Sequence, residues 1–70
     1  MGDMTGRQGE AGFLIEIIRM GSYARVSAMD PITLTEVVAM GAASAPDHAL
    51  RQLGARKLEA QLRKQGLWRG

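Results

Sequence analysis

Residues 13–40 read FLIEIIRMGSYARVSAMDPITLTEVVAM, and this stretch decides the fold. Its first two runs flank the pair Gly21-Ser22, which is typical of a two-residue hairpin because glycine readily supplies a positive φ. That turn sets the register, so we expect Met20 opposite Tyr23 in an antiparallel pair. The pattern therefore predicts a strand on each side of the turn, the first beginning at Phe13.

A second turn is predicted where Asp30-Pro31 follows the second strand. Proline pre-sets φ, and the aspartate side chain can accept a hydrogen bond from the backbone ahead of it. A four-residue loop that closes Asp30 onto Thr35 would place Val37 opposite Ala28. The third strand is then expected to run from Thr35 to Met40.

The alternation of side chains divides the predicted sheet into two faces. Face one is nearly all apolar, with small alanines that leave room for a helix, and comprises Phe13, Ile15, Ile17, Ala24, Val26, Ala28, Val37 and Ala39. Face two comprises the apolar Leu14, Ile18, Met20, Tyr23, Met29, Val38 and Met40 and the polar Glu16, Arg25, Ser27 and Glu36. An antiparallel sheet that faces water on one side is normally polar there, and face two is not.

A helix is predicted over residues 45–65, after residues 41–46 end the sheet. Ser44 is expected to be its N-cap, with Asp47 in the position of a capping box, and Gly66 its C-cap. At about 100° per residue, one apolar stripe contains Leu50, Gly54, Leu58 and Leu62, flanked by Leu53 and Ala55. We expect this stripe to cover face one, with Gly54 close to a strand. The predicted fold is α+β, a three-stranded antiparallel meander followed by one C-terminal helix (βββα).

The length and composition of the chain favour an oligomer. Its 70 residues allow one domain, which is marginally stable without a disulfide, a metal or a partner subunit. With no cysteine and one histidine, the chain has no disulfide and no thiolate or multi-histidine metal site. We expect a disordered arm over residues 1–11, the βββα domain over 12–66 and a tail over 67–70. No run is long enough for a membrane span, and the lack of cysteine fits a cytoplasmic location.

Nothing in the chain is left to cover face two, which suggests a second copy as its partner. We therefore expect a non-enzymatic interaction module that self-associates as a homo-oligomer, most simply a dimer, through face two or by pairing of edge strands. Glu16, Arg25 and Glu36 share this face and could form a carboxylate–Arg25–carboxylate cluster. The pattern favours an interface salt bridge that sets the register of a partner over a catalytic centre.

A basic C-terminal helix is the feature that suggests an alternative function. Its cations are Arg51, Arg56, Lys57, Arg63 and Lys64. Such a set could bind the phosphates of a nucleic acid. On a helical wheel, however, these residues spread over more than half of the circumference, and no aromatic pair lies among them to stack on bases. Nucleic-acid binding is therefore the alternative hypothesis.

The chain lacks the motifs of the common enzyme and nucleotide-binding classes. It contains no GxGxxG, no GxxxxGK, no HExxH and no nucleophile elbow. Its single histidine, His48, is expected on the outer face of the helix, without a nucleophile nearby. We therefore expect no catalytic residue and no cofactor.

Several short motifs along residues 12–62 carry a resemblance to other proteins. They are Glu16 and Arg19, the turn Met20-Gly21, the runs VSAMDP (26–31) and TLTEV (33–37), and the helical run ARKLE (55–59). In these the chain resembles a family of short, uncharacterised bacterial proteins that typically read Asp-Pro-x-Thr-Gly-Thr-Glu-Val at the second turn. Leu34 departs from that glycine, which leaves the geometry of the turn open. The resemblance implies a compact sheet-plus-helix protein of unknown activity, with no catalytic residue to carry over.

Overall fold

A meander of three antiparallel strands carries one helix on a single face in the computed structural model, which describes residues 12–68. The elements are β1 (Leu14–Met20), β2 (Tyr23–Met29), β3 (Glu36–Ala42) and α1 (Asp47–Lys64), and the strands lie in the order β1-β2-β3. The predicted α+β fold, a βββα meander with a C-terminal helix, is confirmed. The predictions for residues 1–11 and 69–70 lie outside the described residues.

Both hairpins have the register that their turns predict. Met20 lies opposite Tyr23, and Gly21 has a φ of 60° in the turn between them. In the second hairpin, the backbone N–H of Asp30 donates to the carbonyl of Thr35 at 2.9 Å, which closes the four-residue loop. The register of this hairpin follows from that closing bond, since side chains alternate strictly along the strands.

Strand β3 continues two residues beyond the predicted end at Met40. Gly41 pairs with Ala24, and the N–H of Ala43 donates to the carbonyl of Ser22 at 3.1 Å. The prediction that residues 41–46 end the sheet is therefore wrong for Gly41 and Ala42, which belong to β3. Strand β2 still offers backbone partners at this end, and the ladder continues because unpaired backbone groups are costly.

Helix α1 begins at Asp47, two residues later than predicted, and ends at Lys64, one residue earlier than predicted. Pro46 is its N-cap and no side chain caps it, so the prediction that Ser44 is the N-cap is wrong. Ser44 lies in a turn between Ala42 and Ala45, and the carboxylate of Asp47 is bound by Arg19 of β1. The C-cap is Gln65, one residue before the predicted Gly66, and Gly66 follows it with a φ of 75°.

The helix end is a Schellman motif that directs the chain back onto the domain. The N–H of Gly66 donates to the carbonyl of Arg63, and the N–H of Leu67 donates to that of Leu62. The following Trp68 packs on Phe13, with ring centroids 6.4 Å apart, while Arg63 lies over the indole ring. Trp68 thus extends the hydrophobic core.

The core lies between face one and the predicted stripe of α1. Its buried members are Phe13, Ile15, Ala24, Val26, Ala28, Leu50, Ala55, Leu58 and Leu62. Gly54 lets the helix approach β2, because a Cβ at this position would lie 2.7 Å from Cγ1 of Val26. Within the described residues, no helix is both long and apolar enough to cross a membrane.

Candidate interaction surface

Face two lies on the side of the sheet that α1 does not cover. Ile18, Met20, Tyr23 and Val38 are 36–42% exposed, and Met40 is 57% exposed. The other two apolar members, Leu14 and Met29, are half-buried. Large apolar side chains therefore remain in contact with solvent across all three strands.

The register of the two hairpins arranges face two in four rows across the strands. These rows are Leu14–Met29–Glu36, Glu16–Ser27–Val38, Ile18–Arg25–Met40 and Met20–Tyr23–Ala42. The last two rows are apolar apart from the central arginine. The acids lie in the first two rows, at opposite edges of the sheet.

The predicted carboxylate–Arg25–carboxylate cluster does not form within one copy. Arg25 lies diagonally across from Glu16 but two rows away from Glu36. In residues 12–68 the salt bridges are Arg19–Asp47 and Arg63–Glu59, and none involves these three charges. The cluster fails because the register separates Glu36 from the arginine by four residues along the neighbouring strand.

The cations of the basic helix do not form one patch. Lys57 donates from Nζ to the carbonyl of Val38 at 2.6 Å, and Arg63 pairs with Glu59 at 2.7 Å. Arg51 is half-buried on the side of the domain where β1 lies, whereas Arg56 and Lys64 are exposed. No observation made on the described residues favours a nucleic-acid interface, and this alternative stays a prediction.

An open depression of ≈ 600 Å³ runs along strand β1. Residues of both faces line it, namely Leu14, Ile15, Glu16, Ile17, Arg19, Ser27, Met29, Glu36, Asp47 and Arg51. The depression therefore wraps around the outer edge of β1. Among the described residues, no three His, Asp or Glu side chains lie close enough together to hold a metal ion.

Arg19 joins β1 to the start of the helix, a role that the sequence reasoning missed. Its guanidinium donates to the carbonyls of Ala43 (3.0 Å) and Ala45 (2.9 Å) and to Oδ1 of Asp47 (2.8 Å). The hydrogen bond and the positive charge of Arg19 lower the pKa of Asp47, and Arg51 adds to the effect. The signal in the sequence was a lone arginine in the otherwise apolar alternation of face one.

The turn between β2 and β3 is organised by the carboxylate of Asp30, which is 1% exposed. It accepts hydrogen bonds from the N–H of Ile32 (3.1 Å) and the hydroxyl of Thr33 (3.0 Å). Leu34 has a φ of 63°, the left-handed conformation that glycine prefers. The turn holds the side chains of Ile32 and Leu34 outward, each 71% exposed.

The fold and its surfaces define a small α+β domain in which a single helix covers one face of a three-stranded meander. The chain belongs to the family described as Domain of unknown function (DUF6898), whose model matches residues 10–65. This finding confirms the resemblance to an uncharacterised family. Neither the curated proteins nor the solved structures contain a significant match to the chain.

Proposed function

We propose that this chain is a small non-enzymatic protein–protein interaction module that self-associates through face two, with a second copy as its partner. The observation that supports this function is the exposure of Met40, Tyr23 and their apolar neighbours on the uncovered side of the sheet. Contiguous apolar patches on a protein surface are often sites of interaction with another protein. The methionines add an adaptable surface that packs well against a partner.

The arrangement of rows is self-complementary when two copies pack face to face. Consider a two-fold axis that lies midway between the two sheets and runs perpendicular to the strands. It reverses the order of the rows in the second copy relative to the first. The row of Leu14 and Met29 then faces the row of Met20 and Tyr23 of the other copy. On β1 and β2 apolar side chains meet apolar ones at both ends of such an interface, as in the core of a sandwich, while on β3 Glu36 faces Ala42.

The same axis brings opposite charges together. Reversal of the rows places Glu16 of each copy about one strand spacing (~4.8 Å) to the side of the other copy's Arg25. Two equivalent Glu16–Arg25 pairs result, and neither residue meets a like charge. Since neither charge has a partner among residues 12–68, the interface would supply their partners and fix the register.

The experiment is the mass in solution of the full chain and of single variants, measured by sedimentation at micromolar concentration. We expect a multimer for the wild type, and a lower mass for Ile18→Lys and Met40→Lys because a buried lysine opposes association. Ile32→Lys is the matched control, since Ile32 is apolar and 71% exposed but lies outside face two. A wild type that sediments as a single copy would overturn the proposal.

A charge exchange tests the register of the two copies. Arg25→Glu places three acids on face two and should lower the mass. Glu16→Arg combined with Arg25→Glu recreates two opposite pairs and should restore association. If the double variant is as dissociated as the single one, the Glu16–Arg25 pairing is wrong even where face two is the interface.

A further inference from the structure

The two edges of the sheet differ in how their backbone groups are satisfied. The bonds Asp30 N–H to Thr35 and Ala43 N–H to Ser22 show which residues pair β2 with β3. In an antiparallel ladder, inward and outward backbone groups alternate along each strand. On β3 the groups of Val38 and its even-numbered neighbours therefore point away from the sheet.

The β3 edge is protected by the helix. Nζ of Lys57 reaches over from α1 and donates to the outward carbonyl of Val38 at 2.6 Å. A lysine at an edge strand is a common protection against pairing with another chain, because its charge and its side chain block the approach. The middle of β3 is therefore a poor template for an additional strand.

The β1 edge has no such protection in residues 12–68. The alternation directs the backbone groups of Ile15, Ile17 and Arg19 outward, and none of these groups has a hydrogen-bond partner among the described residues. The open depression of ≈ 600 Å³ lies along this edge and leaves space beside it. The guanidinium of Arg19 is directed away from the edge, toward the start of α1. As far as residues 12–68 are concerned, the β1 edge is thus free to accept a strand.

The size of face two indicates what strand it accepts. Three strands of seven residues span roughly 14 Å by 23 Å, or roughly 320 Å² in projection. A stable interface buries about 800 Å² of accessible surface on each partner. Face two of a single copy therefore makes a small interface.

We propose that β1 pairs antiparallel with β1 of a second copy, joining two sheets into one of six strands. Pairing in this way doubles face two without a change in any side chain. Two such pairs then pack through the doubled face, which gives a tetramer with two kinds of two-fold interface. The area argument rests on the proposed function, whereas the difference between the edges does not.

The test uses single cysteines in a chain that has none. Ile17 and Val37 are both half-buried β-branched residues of face one, on β1 and β3 respectively. Because the outward backbone groups of β1 are those of residues 15, 17 and 19, the register that pairs all of them is centred on Ile17. It brings two copies of Ile17→Cys within about 5.5 Å between Cα atoms, a separation that a disulfide can bridge. We expect Ile17→Cys to form covalently linked dimers under mild oxidation and the matched control Val37→Cys to remain unlinked.

Contact through face two alone cannot link Ile17→Cys. Both cysteines would then lie on the outer sides of two sheets about 10 Å apart, beyond the reach of a disulfide. Linkage of Ile17→Cys to the same extent as Val37→Cys, or no linkage of either, would overturn the proposal. A partner strand supplied by a different protein would also give no linked dimer.

Adding Met40→Lys separates the two interfaces. If both proposals hold, Ile17→Cys/Met40→Lys sediments as a dimer and still forms the disulfide. If the mass is unchanged by Met40→Lys while the disulfide forms, the face-two interface fails and the β1 pairing stands. If Met40→Lys dissociates the dimer and Ile17→Cys never forms a disulfide, the face-two interface stands and the β1 pairing fails.

Discussion

Lys57 and Val38 connect the helix to the outer edge of the sheet through a single hydrogen bond, in which Nζ donates to the backbone carbonyl at 2.6 Å. The bond satisfies an edge carbonyl and places a positive charge where another strand would have to approach. It adds an electrostatic role to a side chain that borders the apolar stripe. Protection of one edge leaves the other edge as the place where the sheet can grow.

Replacing Lys57 by methionine should open the β3 edge. Methionine keeps much of the length of the side chain but removes the donor and the charge. We expect a modest loss of stability, about 1 kcal/mol, because the carbonyl becomes solvated. Association should rise, since β1 and β3 edges could then pair head to tail. Light scattering against time measures the effect.

The matched control for this substitution is Lys64→Met. Lys64 lies on the same helix and makes no hydrogen bond with the described residues. Both variants lose one positive charge, so a difference between them reports the edge contact rather than net charge. Equal scattering from both variants would contradict the protective role of Lys57.

Gly54→Ala should destabilise the domain, although alanine is the better helix former. The new Cβ would lie 2.7 Å from Cγ1 of Val26, a stiff β-branched side chain. Overpacking of a core typically costs about 1–3 kcal/mol, and the gain in helix propensity is about 1 kcal/mol. We expect a net loss of about 1 kcal/mol in the free energy of unfolding, measured by urea denaturation.

Val26→Ala provides the test of this mechanism. In the Val26→Ala background the clashing methyl group is absent, so Gly54→Ala should become neutral or stabilising. The double-mutant cycle then gives a coupling energy between the two positions. The explanation fails if Gly54→Ala has the same effect in both backgrounds.

Leu34→Gly should stabilise the domain. Leu34 has a φ of 63° and is 71% exposed, so its conformation is strained and its side chain gains little from burial. The left-handed conformation costs a non-glycine residue about 1–2 kcal/mol, and the greater freedom of glycine in the unfolded chain offsets part of this gain. We expect a rise of about 0.5–1 kcal/mol in the free energy of unfolding.

Ile32→Gly is the control for the strain at position 34. Ile32 lies in the same turn with the same 71% exposure, and its φ is not positive. Glycine there relieves no strain and should lower stability or leave it unchanged. Equal effects of the two substitutions would mean that the backbone of Leu34 is not strained.

The contact between Arg19 and Asp47 should make stability depend on pH in acid. Arg19 lowers the pKa of Asp47 below its ordinary value of 3.8. A lowered pKa in the folded state gives a stabilisation that is complete above 3.8 and is lost as the pH falls through the lowered value. Asp47→Asn should therefore flatten the fall in stability below this pH.

Chemical denaturation over a series of acidic pH values measures this dependence. Arg19→Met should flatten the same part of the profile, because it removes the cause of the lowered pKa. Asp47→Asn should leave the profile above about pH 5 nearly parallel to that of the wild type, where the carboxylate is ionised in both states. An unchanged acid slope in both variants would exclude a contribution from the pair.

Local sequence signals determined most of the fold. Gly21-Ser22 gave the first register because a two-residue turn admits one pairing, and Asp30-Pro31 with a four-residue loop gave the second. The helix stripe followed from its period. The predicted N-cap was wrong although Ser44 has suitable chemistry for a cap, because Ser44 lies in a turn after β3, in which the N–H of Ala45 donates to the carbonyl of Ala42, and the helix begins only at Asp47.

The sequence by itself determined which side chains share a face, since strand and helix periods are properties of the local backbone. Only the tertiary structure decided which edge is protected and which charges are paired. The contacts of Arg19 with Asp47 and of Lys57 with Val38 join residues 28 and 19 positions apart. Such contacts depend on where α1 lies over the sheet, and no local pattern encodes that position.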